Sequence, residues 1–270
     1  MRGILVYDKV GAKRNEWFIN SLIENFNKKK VDLRLVVVDN DGFEFDENID
    51  FAIVRTIAPR INERLENAGV RVMNNYKTSL IANDKWETYL LAKRLNIRVM
   101  PTYRCVEEID EKAFPYVVKS RAGHGGSEVF WAENMSELIA VKERLDKDKI
   151  PFIIQSPSTT LGKDMRVYVM GGKIIEGILR SNPNSFKSNF SLGGTATKFA
   201  VCEKQIEVVN KLCDYLKCDY VGVDFIIDNG EWILNEIEDV VGSRMLYETT
   251  DFDVAKEYAN YIVSVLKRGK

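Results

Sequence analysis

The chain has 270 residues, 45% of them hydrophobic and 29% charged, with a formal net charge of −1. That is the balance of a globular protein with a sizeable core, and it gives no bulk electrostatic reason to expect a nucleic-acid or membrane partner. The single histidine, His124, excludes the paired-histidine zinc motif and multi-histidine metal sites.

The opening Met1–Asp8 carries too short an apolar run for a signal peptide, and no stretch approaches the ~20 apolar residues that cross a bilayer, so the expected compartment is the cytoplasm. Cys105, Cys202, Cys213 and Cys218 form no C-x-x-C pair and read as reduced, structural thiols.

The first part of the chain alternates strand and helix. Ile4–Tyr7 reads as a short strand, and Trp17, Phe18, Leu22, Ile23 and Phe26 recur at helical spacing. Leu33–Val38 reads as a buried strand and Phe51–Val54 as another; 59–68 reads as a helix with Pro59 in its first turn and Gly69 just past its end, before a strand at Val70–Met73. The alternation implies a small parallel sheet wrapped by helices, a Rossmann-like unit over 1–80. No G-x-G-x-x-G follows its first strand, so no dinucleotide is assigned.

A different pattern begins near residue 80. Asp84 and Glu87 have the spacing of a capping box for a helix running to about Leu95. Tyr116–Lys119 and Glu128–Trp131 read as strands around a glycine-rich turn, 135–146 as a helix and Phe152–Gln155 as a strand, which together suggest a unit over 81–157. From Met165 the signals are mostly antiparallel: Arg166–Met170, a Gly171-Gly172 hairpin turn, then Lys173–Arg180. A long polar loop at 181–198, a helix at 203–216, strands near 220–227 and 232–238, and a last helix near 252–267 complete a unit over 158–270.

Lys119 ends an apolar strand and precedes Ser-Arg-Ala-Gly-His-Gly-Gly-Ser127. Glycines let backbone N–H groups approach a phosphate, and a lysine adds a point charge, although a hairpin tip with a snorkelling lysine has the same pattern. His124, in the same turn, reads as a phosphate contact rather than a catalytic group. Lys85 opposes the macrodipole of the helix it opens, as a solvated lysine or as a second cation on a nucleotide.

Asp224 sits inside an apolar strand, and Glu236 and Glu238 share one face of the next. Oxygen-only ligands beside phosphates suit magnesium. A tight Asn229-Gly230 turn with regular pairing would set Asp224 opposite Asn235 and defeat the site. A larger loop or a bulge would set it opposite Glu236, and that arrangement is expected. Arg166 and Arg180 fit either a γ-phosphate and its transition state or ion pairs.

These segments together resemble the ATP-grasp superfamily, and within it the RimK-like amino-acid ligases. The resemblance is carried by Asp84-Lys85, Tyr116–Lys119 with its glycine loop, Ile153–Gln155, Gly162–Val167, Arg180, Ser188-Asn189 with Gly193-Gly194, Gly222–Asp224, Asn235–Glu238 and Thr249–Asp253. It implies α/β and α+β architecture: an ATP-grasp fold with an N-terminal Rossmann-like pre-grasp domain and two α+β subdomains enclosing ATP. It places Lys85, Lys119, Gln155 and Lys163 at the nucleotide, with Gly125, Gly126 and Ser127 in a loop closing over the phosphates. Asp224, Glu236 and Glu238 would hold magnesium, two ions with manganese as a substitute, and Arg166, Arg180 and Asn189 would serve catalysis.

Glu238 departs from the asparagine common in the family, which adds charge without removing the site. Arg244 is expected either to bind an acidic substrate or to pair with Glu248. The implied reaction joins a small-molecule or peptide carboxylate to an amine through an acyl phosphate, releasing ADP and phosphate, in a chain that can form a homo-oligomer. An ATP-grasp kinase acting on a hydroxyl, or a nucleotide-binding regulatory protein without turnover, are the rival readings.

Overall fold

In the computed structural model, residues 1–39, 44–45, 48–123, 128–183, 185 and 194–268 are described. The chain begins with β1 (Arg2–Asp8), α1 (Lys9–Arg14), α2 (Glu16–Lys28), β2 (Asp32–Val38), β3 (Phe51–Val54), α3 (Pro59–Asn67), β4 (Arg71–Met73) and α4 (Tyr76–Ala82). The strands form a parallel sheet in the order β2-β1-β3-β4. Parallel neighbours need crossovers, and α2 and α3 supply them.

Three residues expected inside this unit are exposed. β2 is an edge strand, and its Leu35 and Val37 are 40% and 47% exposed. Trp17 is 63% exposed, and α2 instead buries Phe18, Ile19, Leu22 and Phe26. The helix α4, unassigned from the sequence, is capped by Asn75, whose side chain accepts the Thr78 amide at 2.8 Å.

The middle of the chain forms α5 (Lys85–Arg94), β5 (Thr102–Tyr103), β6 (Tyr116–Ser120), β7 (Val129–Ala132), α6 (Met135–Lys147) and β8 (Phe152–Gln155). Its antiparallel sheet has the order β5-β8-β6-β7. Asp84 caps α5 by accepting the Trp86 and Glu87 amides at 2.9 and 3.3 Å. The reciprocal half of the expected capping box is replaced. The Asp84 amide donates to the Ile81 carbonyl, and the Glu87 carboxylate lies 3.7 Å from Arg121.

The remainder forms β9 (Thr160–Met170), β10 (Lys173–Ser181), β11 (Thr195–Lys198), α7 (Glu203–Leu216), β12 (Tyr220–Asp228), β13 (Glu231–Glu238), α8 (Arg244–Thr249) and α9 (Val254–Arg268). The sheet order is β11-β10-β9-β12-β13. Gly171 and Gly172 turn the β9–β10 hairpin with φ of +58° and +76°, a conformation an L side chain disfavours. β9 starts several residues earlier than expected, and the far end of the expected 181–198 loop is the edge strand β11.

Alternation along β9 and β12 covers this sheet on both faces. Tyr168, Met170 and Tyr220 pack with α8, α9, Leu5 and Tyr7 of the first sheet, and Phe18 of α2. Met165, Val167, Val169, Val221, Val223 and Phe225 pack with Leu91 and Ala92 of α5 and Val209, Leu212 and Leu216 of α7. The core therefore crosses the order of the chain. Among the described residues, no helix is long and apolar enough to cross a membrane.

Candidate active site

The β12–β13 hairpin sets the site. Its turn is tight, with Asp228 paired to Glu231 and Phe225 to Leu234, but the register then shifts and Asp224 pairs with Glu236. Asn235 is the extra residue of a β-bulge. Asp224, Glu236 and Glu238 consequently offer carboxylate oxygens within 4.8 Å of one another.

Asp224 also faces Arg166 of β9 across the sheet. Arg166 donates Nε and Nη2 to the two Asp224 oxygens, each at 2.7 Å, and Nη2 to Glu238 at 2.6 Å. Arg180 of β10 binds Asp164 with both Nε and Nη2, at 2.5 and 2.7 Å, and reaches Asp224 Oδ2 at 2.6 Å. The forked guanidinium geometry matches paired carboxylate oxygens, which is why arginine and not lysine occupies both positions.

Electrostatics separates the three carboxylates. Burial pushes Asp224 upward, but Arg166 and Arg180 outweigh it and hold the carboxyl down at about 2. Burial raises Glu238, and the neighbouring Asp224 and Glu236 charges add to the rise against the pull of Arg166. Glu236 is more exposed and has Lys85 Nζ at 3.6 Å. This donor set fits a hard divalent cation: all ligands are oxygen, they converge, and their mutual repulsion is relieved by added positive charge.

Across from these carboxylates, Lys119 at the end of β6 donates to Gln155 Oε1 at 2.6 Å and to Asn235 Oδ1 at 3.2 Å. Burial and the nearby Lys85 charge lower the Lys119 ammonium to about 8, while Glu236 opposes the change. Gln155 in turn donates to Thr102 at 3.0 Å, which fixes its amide orientation. Lys85 Nζ donates to the Gly123 carbonyl at 2.5 Å, tying the start of α5 to the glycine-rich turn. One cleft is lined by Lys85, Lys119, Gln155, Lys163, Glu236 and Glu238, with Asp164 and Arg180 at its wall.

Of the residues expected from the sequence, Lys85, Lys119, Gln155, Lys163, Arg180, Glu236 and Glu238 meet at this cleft, with Arg166 and Asp224 bonded directly behind it. Arg244 is exposed at the start of α8 and does not line the cleft. His124, Gly125, Gly126, Ser127 and Asn189 lie outside the described residues.

Several participants were not among the site residues expected from the sequence. Asp164 is two residues from Arg166 on the same strand, so the i, i+2 spacing that paired Glu236 with Glu238 signals it too. Gly222 is a clearance: a Cβ there would lie 2.8 Å from Val241 and 3.2 Å from the Arg166 side chain. Arg121 binds both oxygens of the α5 cap Asp84, at 3.0 and 2.6 Å. Asn74 Nδ2 donates to Asp239 Oδ1 at 2.7 Å and to the Tyr220 carbonyl at 2.8 Å, and its side-chain Oδ1 accepts the Asp219 and Tyr220 amides at 2.5 and 2.9 Å. Arg55, buried at the end of β3, donates to the Val241 carbonyl at 2.6 Å. These contacts span 145 to 186 positions of chain, and local pattern carries no trace of them.

A family model for the RimK-like ATP-grasp domain matches residues 82–262. A Mycoplasma genitalium protein, the uncharacterized MG011, is 29% identical over 99% of this chain and 94% of its own. Human N-acetylaspartylglutamate synthase A is 27% identical over 80% of this chain and 60% of its own. The structure of D-alanine–D-alanine ligase from Bacillus anthracis complexed with ATP superposes with a TM-score of 0.73 over 100% of this chain and 98% of that one, at 18% identity. The hairpin with its bulge, the two arginines braced on it, the lysines across the cleft and a match covering most of the sequence give one answer: the chain belongs to the RimK-like ATP-grasp family.

Proposed function

We propose that this protein is an ATP- and divalent-metal-dependent ligase that joins a carboxylate to an amine. The γ-phosphoryl group passes to the carboxylate oxygen, giving an acyl phosphate and ADP; the amine attacks the acyl carbon and phosphate departs. The observation that carries the reading is the meeting of three carboxylates within 4.8 Å of one another with Arg166, Arg180, Lys85 and Lys119 around one cleft. Such a charge set serves transfer of a multiply charged group, whereas nucleotide binding alone does not require all of it.

Asp224, Glu236 and Glu238 would hold a magnesium ion, which would supply positive charge to offset that of the phosphates. The chain's own contribution is positioning. Lys85 and Lys119 bind phosphate oxygens, Gln155 presents amide groups to the base, and Lys163 adds charge at the rim. Arg180, in the wall of the cleft, stabilises charge on the transferring group, and Arg166 holds Asp224 and Glu238 in place. Gly125, Gly126, Ser127 and Asn189 join this set by resemblance alone, as does Arg244 on the acid substrate. Two ions are proposed, with manganese as a working substitute.

The first amine to test is glutamate, the amino acid named in the synthase relative, with N-acetylated and polycarboxylic acids as partners. The test is ADP release with magnesium across acid–amine pairs, with mass analysis of products. Release that requires both partners and yields their amide supports ligation. A stable phosphorylated alcohol, or release indifferent to the amine, overturns it.

A further inference from the structure

Cys213 and Cys218 lie outside the cleft, in contact with one another. α7 ends at Leu216, and Lys217 takes a left-handed conformation, φ 54° and ψ 41°, with its amide bonded to the Cys213 carbonyl at 2.8 Å. That reversal folds residue 218 back against the last turn of the helix. The two sulfurs are 3.6 Å apart, with the Cys218 thiol donating to Cys213 Sγ. Both side chains line a surface cavity of about 550 Å³ together with Arg71, Asp214, Lys217 and Tyr261. Cys213 is half-buried and Cys218 is 5% exposed.

We propose that Cys213 and Cys218 are a dithiol modification site that reacts as a unit, closing to an internal disulfide by exchange with a low-molecular-weight disulfide. Exchange proceeds by thiolate attack, so the more accessible thiol with the greater thiolate character reacts first. Cys213 is that thiol. The hydrogen bond from Cys218 lowers its pKa against the rise from burial, and Lys217 assists. The same bond, followed by burial, raises Cys218.

Cys213 thiolate attacks one sulfur of the reagent, forming a mixed disulfide and expelling one small thiolate. Cys218, already in contact, gives up its proton and attacks Cys213 Sγ, expelling the second. Two protein thiols are oxidised and one small disulfide is reduced to two thiols. The sulfurs need little movement to bond, since the gap to the ~2 Å of a disulfide is short and both sit beside a helix end.

The pair stands at the root of β12, where the next residues, Asp219 and Tyr220, are held by Asn74, which also holds Asp239 beside Glu238. Closing the disulfide therefore pins the base of the strand that carries Asp224.

The test uses the full chain with C105S and C202S, incubated with glutathione disulfide and weighed by intact mass without reduction. The expected product is lighter by two hydrogens and carries no glutathione. With C218S added, Cys213 is expected to retain one glutathione; with C213S added, the protein is expected to stay unmodified. Persistent glutathione on the chain that keeps both Cys213 and Cys218 overturns the proposal. So does an unchanged mass under conditions that modify the exposed Cys202 of the natural chain. Modification of the C213S variant overturns the assignment of Cys213 as the attacking thiol.

Discussion

Asp224 stands opposite Glu236, and Asn235 is the residue that the bulge leaves over. The turn at Asn229-Gly230 is a tight one, and continued without a bulge it would set Asp224 against Asn235 and turn Glu236 to the other face. The inserted residue does two things. It brings the carboxylates together, and it presents Asn235 to Lys119 at 3.2 Å.

Glu236→Gln separates metal binding from folding. Glu236 is partly exposed, and its carboxylate lies 3.6 Å from Lys85 Nζ. Loss of one charged ligand is expected to lower magnesium-dependent ADP release by at least about 100-fold. The melting temperature should stay within a few degrees of the natural chain. Activity within threefold of the natural chain would remove Glu236 from the site.

Asp224→Asn has a different outcome, because Asp224 is fully buried between two guanidiniums. The amide leaves both cations undercompensated, at an expected cost of about 3–5 kcal/mol in stability along with loss of activity. Denaturant unfolding of the two variants side by side checks the contrast.

Gly222→Ala tests the clearance beside Arg166. A methyl group there meets Val241 at 2.8 Å and the Arg166 Cδ at 3.2 Å, and displaces the guanidinium from its paired hydrogen bonds with Asp224. Turnover is expected to fall about 10- to 100-fold, the effect of a misplacement approaching 1 Å. Stability should drop by about 1–3 kcal/mol, the usual cost of overpacking. Unchanged kcat would show that Arg166 is not constrained by this contact.

Asn74→Ala should be among the most destabilising substitutions. It removes one donor from the buried Asp239 carboxylate, which keeps Asn83 at 3.2 Å, and takes the shared acceptor from the Asp219 and Tyr220 amides. An expected loss of about 3–5 kcal/mol follows from several unsatisfied groups at once. Chemical denaturation measures it.

Asp219 gives a pH signature. Burial raises its carboxyl to about 6, although Arg71 and Tyr261 bind it at 2.6 and 2.7 Å. A folded-state value above the ordinary one means the folded chain holds the extra proton between about pH 4 and 6. The contribution of Asp219 is most favourable below that window, falls as pH rises through it and is constant above it. Asp219→Asn removes the dependence, so the stability of the variant minus that of the natural chain should rise by about 2–3 kcal/mol from pH 4 to pH 6. A flat difference would show that the carboxyl is not shifted.

The sequence by itself determined the elements and the chemical inventory. Period-two spacing named Glu236 and Glu238, glycine placement located the turns at Gly69, Gly171-Gly172 and Asn229-Gly230, and the order of charged segments along the chain indicated the family. These signals are local, since side-chain periodicity and turn chemistry act over a few residues.

Tertiary structure alone decided the rest. It left Leu35 and Trp17 exposed and Cys218 against Cys213. It set Arg166 and Arg180 on Asp224, and through Asn74 and Arg55 it braced the first sheet against the strand that ends in Glu238. Which strand lies at an edge, where a register slips by one residue and which buried amide meets which carboxylate depend on packing between elements far apart in the chain. The free energy of those contacts exists only once the elements have docked.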